Sequence, residues 1–492
     1  MFKVLRVLVL SLCLVLCICS CKTEVQVQGT QPVNTAVDGV LGVPLTADYG
    51  GAKYRVLSAG NVAYADFTAE EDAVQQLDIA QYERKKKIEA NYNVEIIEDI
   101  KQGTSSASSG KPGHGYTIIS NHVASGTAVY DACLIAGYDV SVLAYQNLLF
   151  DMNSVPGIDL NQSWWDQKAN DSLAVHDLVF FSVGDYTLAD NDAAYVIMFN
   201  KKILEDYKLE SPYEMVANNT WTLENFASLC KKVTVDLDSN SVMDENDRYG
   251  LLVWVDSLLG MVNAAGQRCC VIDENGQIKL TLNNETTLAT VEQFLDIALN
   301  KQYALQYQSL NGYEQMDLEK QLWSGDHGLF WTTYMGNVPR FRDMESNFGI
   351  LPYPKLNSSQ DNYYSTVTPF NSQFVCFPLV QKDINMAGVV TEALAYYGQK
   401  DLLPEYYDVR LKGKTVRDSE SSEMLDIIFD NLVYDIGYIY QIGEYNKDFN
   451  RMVSGGRTSN FSQLYETNLL KAESQLETIN EAYAQAVAKW KK

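Results

Sequence analysis

The tightest constraint on the fold of this chain lies in residues 191–250, NDAAYVIMFNKKILEDYKLESPYEMVANNTWTLENFASLCKKVTVDLDSNSVMDENDRYG. Residues 195–199 form an apolar, β-branched run of strand length. Asn200 is a capping residue type and opens a helical pattern over 201–208, which Pro212 breaks. Thr222 then precedes a second helix, 223–232, with Leu223, Phe226, Ala227 and Cys230 at core spacing. A loop crowded with Asp, Asn and Ser follows, and Tyr249-Gly250 begins the next apolar strand, 251–255. A buried strand feeding two amphipathic helices and then another buried strand requires helices packed on a sheet.

The same alternation governs the earlier part of the chain. Strands are predicted over 54–58, 94–99 and 131–136, and helices over 72–92 and 116–125, which implies a mostly parallel sheet up to about residue 183. Ligands of such sheets sit beyond the carboxyl ends of the strands. That singles out the loops 59–64, 137–139 (Gly-Tyr-Asp) and 184–192 (GDYTLADND). The Gly/Ser-rich loop 101–115 contains Gly110-Lys111, but Pro112 stands where a phosphate-binding loop needs Ser or Thr. A chain of 492 residues exceeds what one ordinary core serves and points to two lobes. Further on, a strand and loop are expected over 323–337, a strand over 348–351, a helix over 386–400 and a long closing amphipathic helix over 465–490.

Charge and the N-terminus bound the setting. The formal charge is −25, which opposes binding to nucleic acid or to anionic lipid. Lys3 and Arg6 precede an apolar run of 13 residues, 7–19; about 20 are needed to span a bilayer, so the segment has the shape of a signal peptide. Ile18-Cys19-Ser20-Cys21 resembles a bacterial lipobox, with 1–20 removed and Cys21 lipidated. Losing Lys3 and Arg6 would take the charge from −25 to −27. Two acyl chains on Cys21 would suffice for stable anchoring. Residues 21–50, without sustained periodicity, are a tether. Of nine cysteines, Cys133, Cys230, Cys269, Cys270 and Cys376 lie in the body and are expected as buried thiols. A bridge from Cys269 or Cys270 stays open.

The acidic loop carries the sharpest local pattern. Counting Asp236 as the first position, oxygen ligands fall at Asp238, Asn240, Asp244 and Asp247, with the Val242 carbonyl between. That spacing suits an EF-hand-type calcium loop and a structural Ca²⁺. Ser241 replaces the usual turn glycine and Asp247 the usual glutamate. The alternative is a solvated Asp/Asn turn.

The stretch 191–250, with its FNK, W-T-x-x-x-F helix, acidic loop and YG, resembles the extracellular solute-binding lipoproteins (family 1) of bacterial carbohydrate ABC importers. Counterparts continue through 130–151 (YDACLIAGYDVSVLAYQNLLFD), 158–166 (IDLNQSWWD), 348–355 (FGILPYPK) and 417–428 (RDSESSEMLDII). The resemblance implies a two-lobed periplasmic-binding-protein-like fold of the maltose-binding-protein type, lobes joined by multiple crossing segments. It places the first lobe at 51–188 plus 370–435 and the second at 189–369 plus 436–492, with crossings at 184–192 and 363–377. It further implies a monomer that captures a small solute, a mono- or oligosaccharide, by hinge closure and hands it to an ABC permease.

Sugar rings stack on aromatic faces and need carboxylate and amide partners at their edges. The resemblance puts Trp331 and Tyr334 on the second-lobe side of the cleft. Asp139 and Asp185, with Asp190 or Asp192, would accept hydroxyls from the first lobe and crossing. Trp164 and Trp165 either touch ligand or wedge two elements together, and each of these residues could equally be packing. For 417–424 the choice is a helix cap, which we favour, or a permease contact. Enzyme signatures are weak. There is no G-x-S-x-G, no H-E-x-x-H and no paired C-x-x-C, and S-x-x-K at 228–231 sits inside a helix. A carboxylate pair for glycoside hydrolysis stays open among 63 acidic residues. So does a surface lipoprotein that binds glycan or another solute without a transporter.

Overall fold

The computed structural model describes residues 39–62, 65–103, 113–407, 419–455 and 460–491. The signal segment 1–20, Cys21, most of the tether, the middle of the loop 101–115, the end of the loop 59–64 and Arg417-Asp418 lie outside the described residues.

The chain opens with β1 (Ala52–Gly60), α1 (Gln76–Tyr92), β2 (Val94–Gln102), α2 (His114–Ser125), β3 (Ala132–Ala136) and α3 (Gly137–Tyr145). Asn93, in the left-handed conformation at φ +47°, ends α1 and sends the chain straight into β2. β1 lies between β2 and β3, parallel to both. The second lobe holds β4 (Tyr195–Asn200), α4 (Leu223–Cys230), β5 (Tyr249–Leu252), α5 (Ser257–Ala264), the hairpin β6 (Cys270–Ile272) and β7 (Ile278–Leu280), β8 (Ala304–Leu305), β9 (Gly328–Tyr334) and β10 (Phe348–Leu351). Its five strands run in the order β10-β4-β9-β5-β8. β4 is antiparallel to β9 and β10, while β5 is parallel to β8 and β9.

Local chemistry explains these elements. The Asn200 side chain accepts from the Ile203 N–H at 3.0 Å and caps the helix Lys201–Asp206. Pro212 does more than break that helix: it is the first residue of the next, Pro212–Ala217, where its missing N–H costs nothing. Thr222 caps α4, which buries Leu223, Phe226, Leu229 and Cys230. Leu229 thus takes the core position expected of Ala227. The YG pair has a steric cause: a Cβ at Gly250 would lie 2.0 Å from the Cys230 carbonyl oxygen, so only glycine lets β5 pass the end of α4.

The chain returns through β11 (Ser365–Thr366) to β12 (Gln373–Cys376), which adds antiparallel to β3, and to α6 (Ile384–Tyr397), which packs on α1. Then come α7 (Ser419–Phe429), β13 (Leu432–Val433), α8 (Ile436–Ile439), α9 (Tyr445–Ser454) and α10 (Phe461–Trp490). α7 falls in the span 370–435 assigned above to the first lobe, and its packing is against β10 and the helix Pro212–Ala217. α10 grips both lobes. Its first turns stack Tyr465 on Tyr445 at 5.4 Å, and its last turns pack Tyr483 on Phe180 and Trp490 on Phe150, each at 5.3 Å. No described helix is long and apolar enough to cross a membrane. The five body cysteines are buried and unbridged.

Candidate functional site

Three segments cross between the lobes side by side. Thr368 N donates to the Ala193 carbonyl at 3.1 Å and Ala194 bridges Val367, while β11 pairs in parallel with β13. Three of the predicted acids belong to this crossing. Asp190 accepts from the Tyr434 hydroxyl at 3.0 Å, as does Asp166, so one phenol ties the first segment to the third. Burial, with Asp166 adding to it, pushes the Asp190 carboxyl up to about 7. Asp192 accepts from the Tyr406 hydroxyl at 2.8 Å. Asp185 is half-buried, and burial, together with Asp190 and Asp166, raises its carboxyl well above the ordinary range. Asp190 and Asp192 are thus tied into the crossing by tyrosine hydroxyls.

The tryptophans pack in cores. Trp331 is 1% exposed in the middle of β9, its indole N–H 3.2 Å from the Tyr307 hydroxyl and its ring against Trp323 and Phe341. Strand alternation explains this, because Trp331 points to the face covered by Trp323 while Tyr334 stands at the carboxyl end of the strand. Trp164 and Trp165 donate their indole N–H groups, at 3.0 and 2.9 Å, to the two oxygens of Glu392 on α6. They form the wedge between elements.

A buried group of aromatics around one acid lies at the carboxyl ends of the strands, with Tyr138, Tyr195, Tyr438 and Trp254 each no more than 9% exposed. Tyr138, at the start of α3, meets Tyr438 of α8 with ring centroids 6.0 Å apart. The Tyr438 and Tyr195 hydroxyls lie 3.2 Å apart. Tyr195, at the start of β4, packs edge-on to Trp254 at 4.7 Å, and Trp254 lies 5.6 Å from the half-buried Tyr334. Asp256, two residues past Trp254, accepts from the Asn450 side chain. Burial pushes its carboxyl up to about 6; the hydroxyls of Tyr138, Tyr195, Tyr353 and Tyr438 are raised first by their own burial and further by the Asp256 charge. The site therefore draws on both lobes. Trp254 and Asp256 are absent from the sequence expectation, which runs the strand to residue 255 and so places Trp254 inside it and Asp256 at its end. β5 ends at Leu252, which leaves both residues beyond its carboxyl end, where ligands sit.

Asp139, next to Tyr138, opens onto a groove of about 470 Å³ that runs outward between α3 and α10. Its carboxylate accepts from Gly113 N at 3.1 Å and Tyr116 N at 3.4 Å, at the amino end of α2. Asp139, 2% exposed, thus lies at the wall of this groove while capping α2.

The acidic loop folds much as its spacing suggests. Oxygens of Asp236, Asp238 and Asp247 lie within 4.8 Å of one another, compatible with a cation that takes oxygens at about 2.3–2.6 Å. The Ser241 N–H donates to Asp236 Oδ2 at 2.8 Å, and Asp236 Oδ1 is buried without a partner among the described residues. Ser241 adopts φ +68°, the turn for which glycine was missing. Asn240 Oδ1 accepts from Val242 N, and Asp244 Oδ1 from Asn246 N. The residues present fit a divalent cation.

Two lobes joined by three crossing segments define the class: this is the two-lobed α/β periplasmic-binding-protein-like fold of the maltose-binding-protein type. Among solved structures the chain resembles an extracellular solute-binding protein of family 1, with TM-score 0.57, 11% identity, and 87% of this chain and 100% of that one covered. It also resembles a cyclo/maltodextrin-binding protein complexed with maltotetraose, with TM-score 0.54, 11% identity and 89% and 97% covered. A third is an ABC substrate-binding protein from Listeria monocytogenes in complex with cycloalternan, with TM-score 0.53, 13% identity and 89% and 99% covered. At such identities the fold is what is shared. No protein-family model matches the chain, and no curated protein does.

Proposed function

We propose that this protein is a solute-capture protein that takes a carbohydrate between its lobes and delivers it to an ABC permease. In this reading 1–20 is removed, Cys21 carries the lipid, and the lobes follow the boundaries given above except that α7 goes with the second lobe, joined by a crossing that bends as ligand bridges them. The observation that carries it is the placement of Trp254 and Asp256 opposite Tyr138, with Tyr438 and Tyr195 between. Flat aromatic faces surround one carboxylate whose ionisation is held back by burial, the pairing a sugar ring and its hydroxyls need. Two of the similar structures hold sugars, maltotetraose and cycloalternan. The site serves binding, not catalysis.

A thermal-shift screen of the body from Lys22 onward against mono- and oligosaccharides tests this. Ligand that binds only the native state raises the melting temperature, by about 2.7 kcal/mol of stabilisation at 100 times Kd. A shift with one class of sugar supports the reading; silence with sugars and a shift with peptides would overturn the carbohydrate assignment. One observation favours a second reading, a surface glycan-binding lipoprotein without a transporter: α10 packs on both lobes and restrains their relative motion. Small-angle scattering with and without the sugar separates the two, since only the transporter reading requires closure.

We further propose a structural Ca²⁺ held by Asp236, Asp238, Asn240, the Val242 carbonyl, Asp244 and Asp247. The buried, unpartnered Asp236 Oδ1 supports it. Added Ca²⁺ is expected to raise the melting temperature of the native chain relative to EDTA. Asp238→Ala, which removes an exposed carboxylate bonded to Asn240, should abolish the difference while changing the EDTA value little. An unchanged response would remove the ion from the account.

A further inference from the structure

The groove beyond Asp139 has a wall that most of the interlobe site lacks, the exposed and half-buried face of α10. We propose that this groove holds the outer units of an uncharged oligosaccharide, so that the ligand is a chain of sugar units longer than the inner site accommodates. The inference rests on the capture function proposed above and adds the ligand's length and charge.

Charge argues first. The ionised groups lining the groove already have partners within the protein. Asp139 accepts from two backbone N–H groups of α2. Glu444 lies against Lys447 at 2.7 Å and also contacts Lys471, and these bonds hold its carboxyl down to about 2. An ionic ligand would have to break these pairs, whereas hydroxyl groups can bond around them.

The remaining lining is aromatic and amide. Tyr116 and Tyr145 stand half-buried on the first-lobe wall and Tyr440 opposite. Gln146, Gln441 and Gln475 bring amides between them. Rings for the C–H faces of a sugar and amides for its hydroxyls are the two things such a chain requires.

Backbone conformation argues third. Gln441 and Glu444, neither of them glycine, take left-handed φ values of +50° and +56°. L-residues adopt this region at a cost, and it is retained where surroundings enforce it, as at ligand clamps. Here Gly443, at φ +62°, donates its N–H to Gln475 Oε1 at 2.8 Å and pins the bent segment to α10.

Calorimetric titration of the full chain decides the matter, using the neutral series, monosaccharide to hexasaccharide, of whichever sugar shifts the melting temperature in the screen. Affinity should rise about tenfold or more with chain length, and Tyr145→Ala should lose that gain while leaving the shortest binder unchanged. Thr478→Trp, at an exposed position on α10, should do the same by filling the groove without removing a buried side chain. If the shortest sugar binds fully and length adds nothing, or if both variants leave long chains untouched, the groove assignment falls and the capture reading stands. Tighter binding of the corresponding uronate series also overturns it. If no sugar of any length binds the wild type, the capture reading itself fails and the groove assignment with it.

Discussion

Asp256→Asn is expected to leave the fold intact and to weaken sugar binding by about 1.5–3 kcal/mol, the worth of hydrogen bonds to a charged group, or about 10–100-fold in Kd. The amide keeps the side chain's shape and can still accept from Asn450, so the neighbouring contacts survive. Burial raises the wild-type carboxyl to about 6. A folded-state value above the unfolded one means that ionised Asp256 works against stability as pH rises through about 6. The variant should therefore unfold no earlier than the wild type at pH 8 while binding far less sugar. Its affinity should also be flat between pH 5 and 8, where the wild type loses affinity on the acid side. Calorimetric titration alongside urea unfolding checks this; a variant that binds normally would remove Asp256 from the site.

Glu392→Ala carries the largest expected effect on stability, a loss of about 3–5 kcal/mol. The side chain is fully buried and is the acceptor for both Trp164 and Trp165 indole N–H groups. Alanine would strand two buried donors at about 1–3 kcal/mol each and open a cavity besides. Burial pushes this carboxyl up to about 8 against the pull of its two donors. Between the unfolded value of about 4.5 and 8 the native state holds the extra proton, so stability should fall as pH rises across that window and level off above it. Glu392→Gln should flatten the high-pH part of that slope, with a smaller loss than alanine because one amide oxygen still serves one indole. Urea midpoints at pH 5, 7 and 9 measure both effects. Equal slopes in wild type and glutamine variant would mean that Glu392 is not the titrating group.

Much of the architecture was legible in the residues because it is set by short-range rules. The run 195–199 is a strand because it is apolar and β-branched, and Asn200 and Thr222 cap the helices that follow because their side chains reach free backbone N–H groups. The acidic loop brings Asp236, Asp238 and Asp247 together because their spacing is local. Site residues that depend on distant contacts fared differently. Asp190 and Asp192 sit in the predicted crossing, yet their partners are Tyr434 and Tyr406, each more than 200 residues away. Spacing carries no record of such pairs.

Trp331 and Trp254 show the same division. Both are tryptophans at strands of the second lobe, and composition treats them alike. Which partners a tryptophan meets depends on where its strand ends and on what covers that face. Trp323 and Phe341 cover Trp331, while β5 stops two residues before Trp254. The sequence alone thus determined the α/β layering, the two-lobe size and the acidic loop, since periodicity, capping and charge act between near neighbours. Only the tertiary structure decided which aromatics meet Asp256, which acids bind the crossing, and that α10 walls a groove, since those outcomes depend on packing between residues that the chain brings together from far apart.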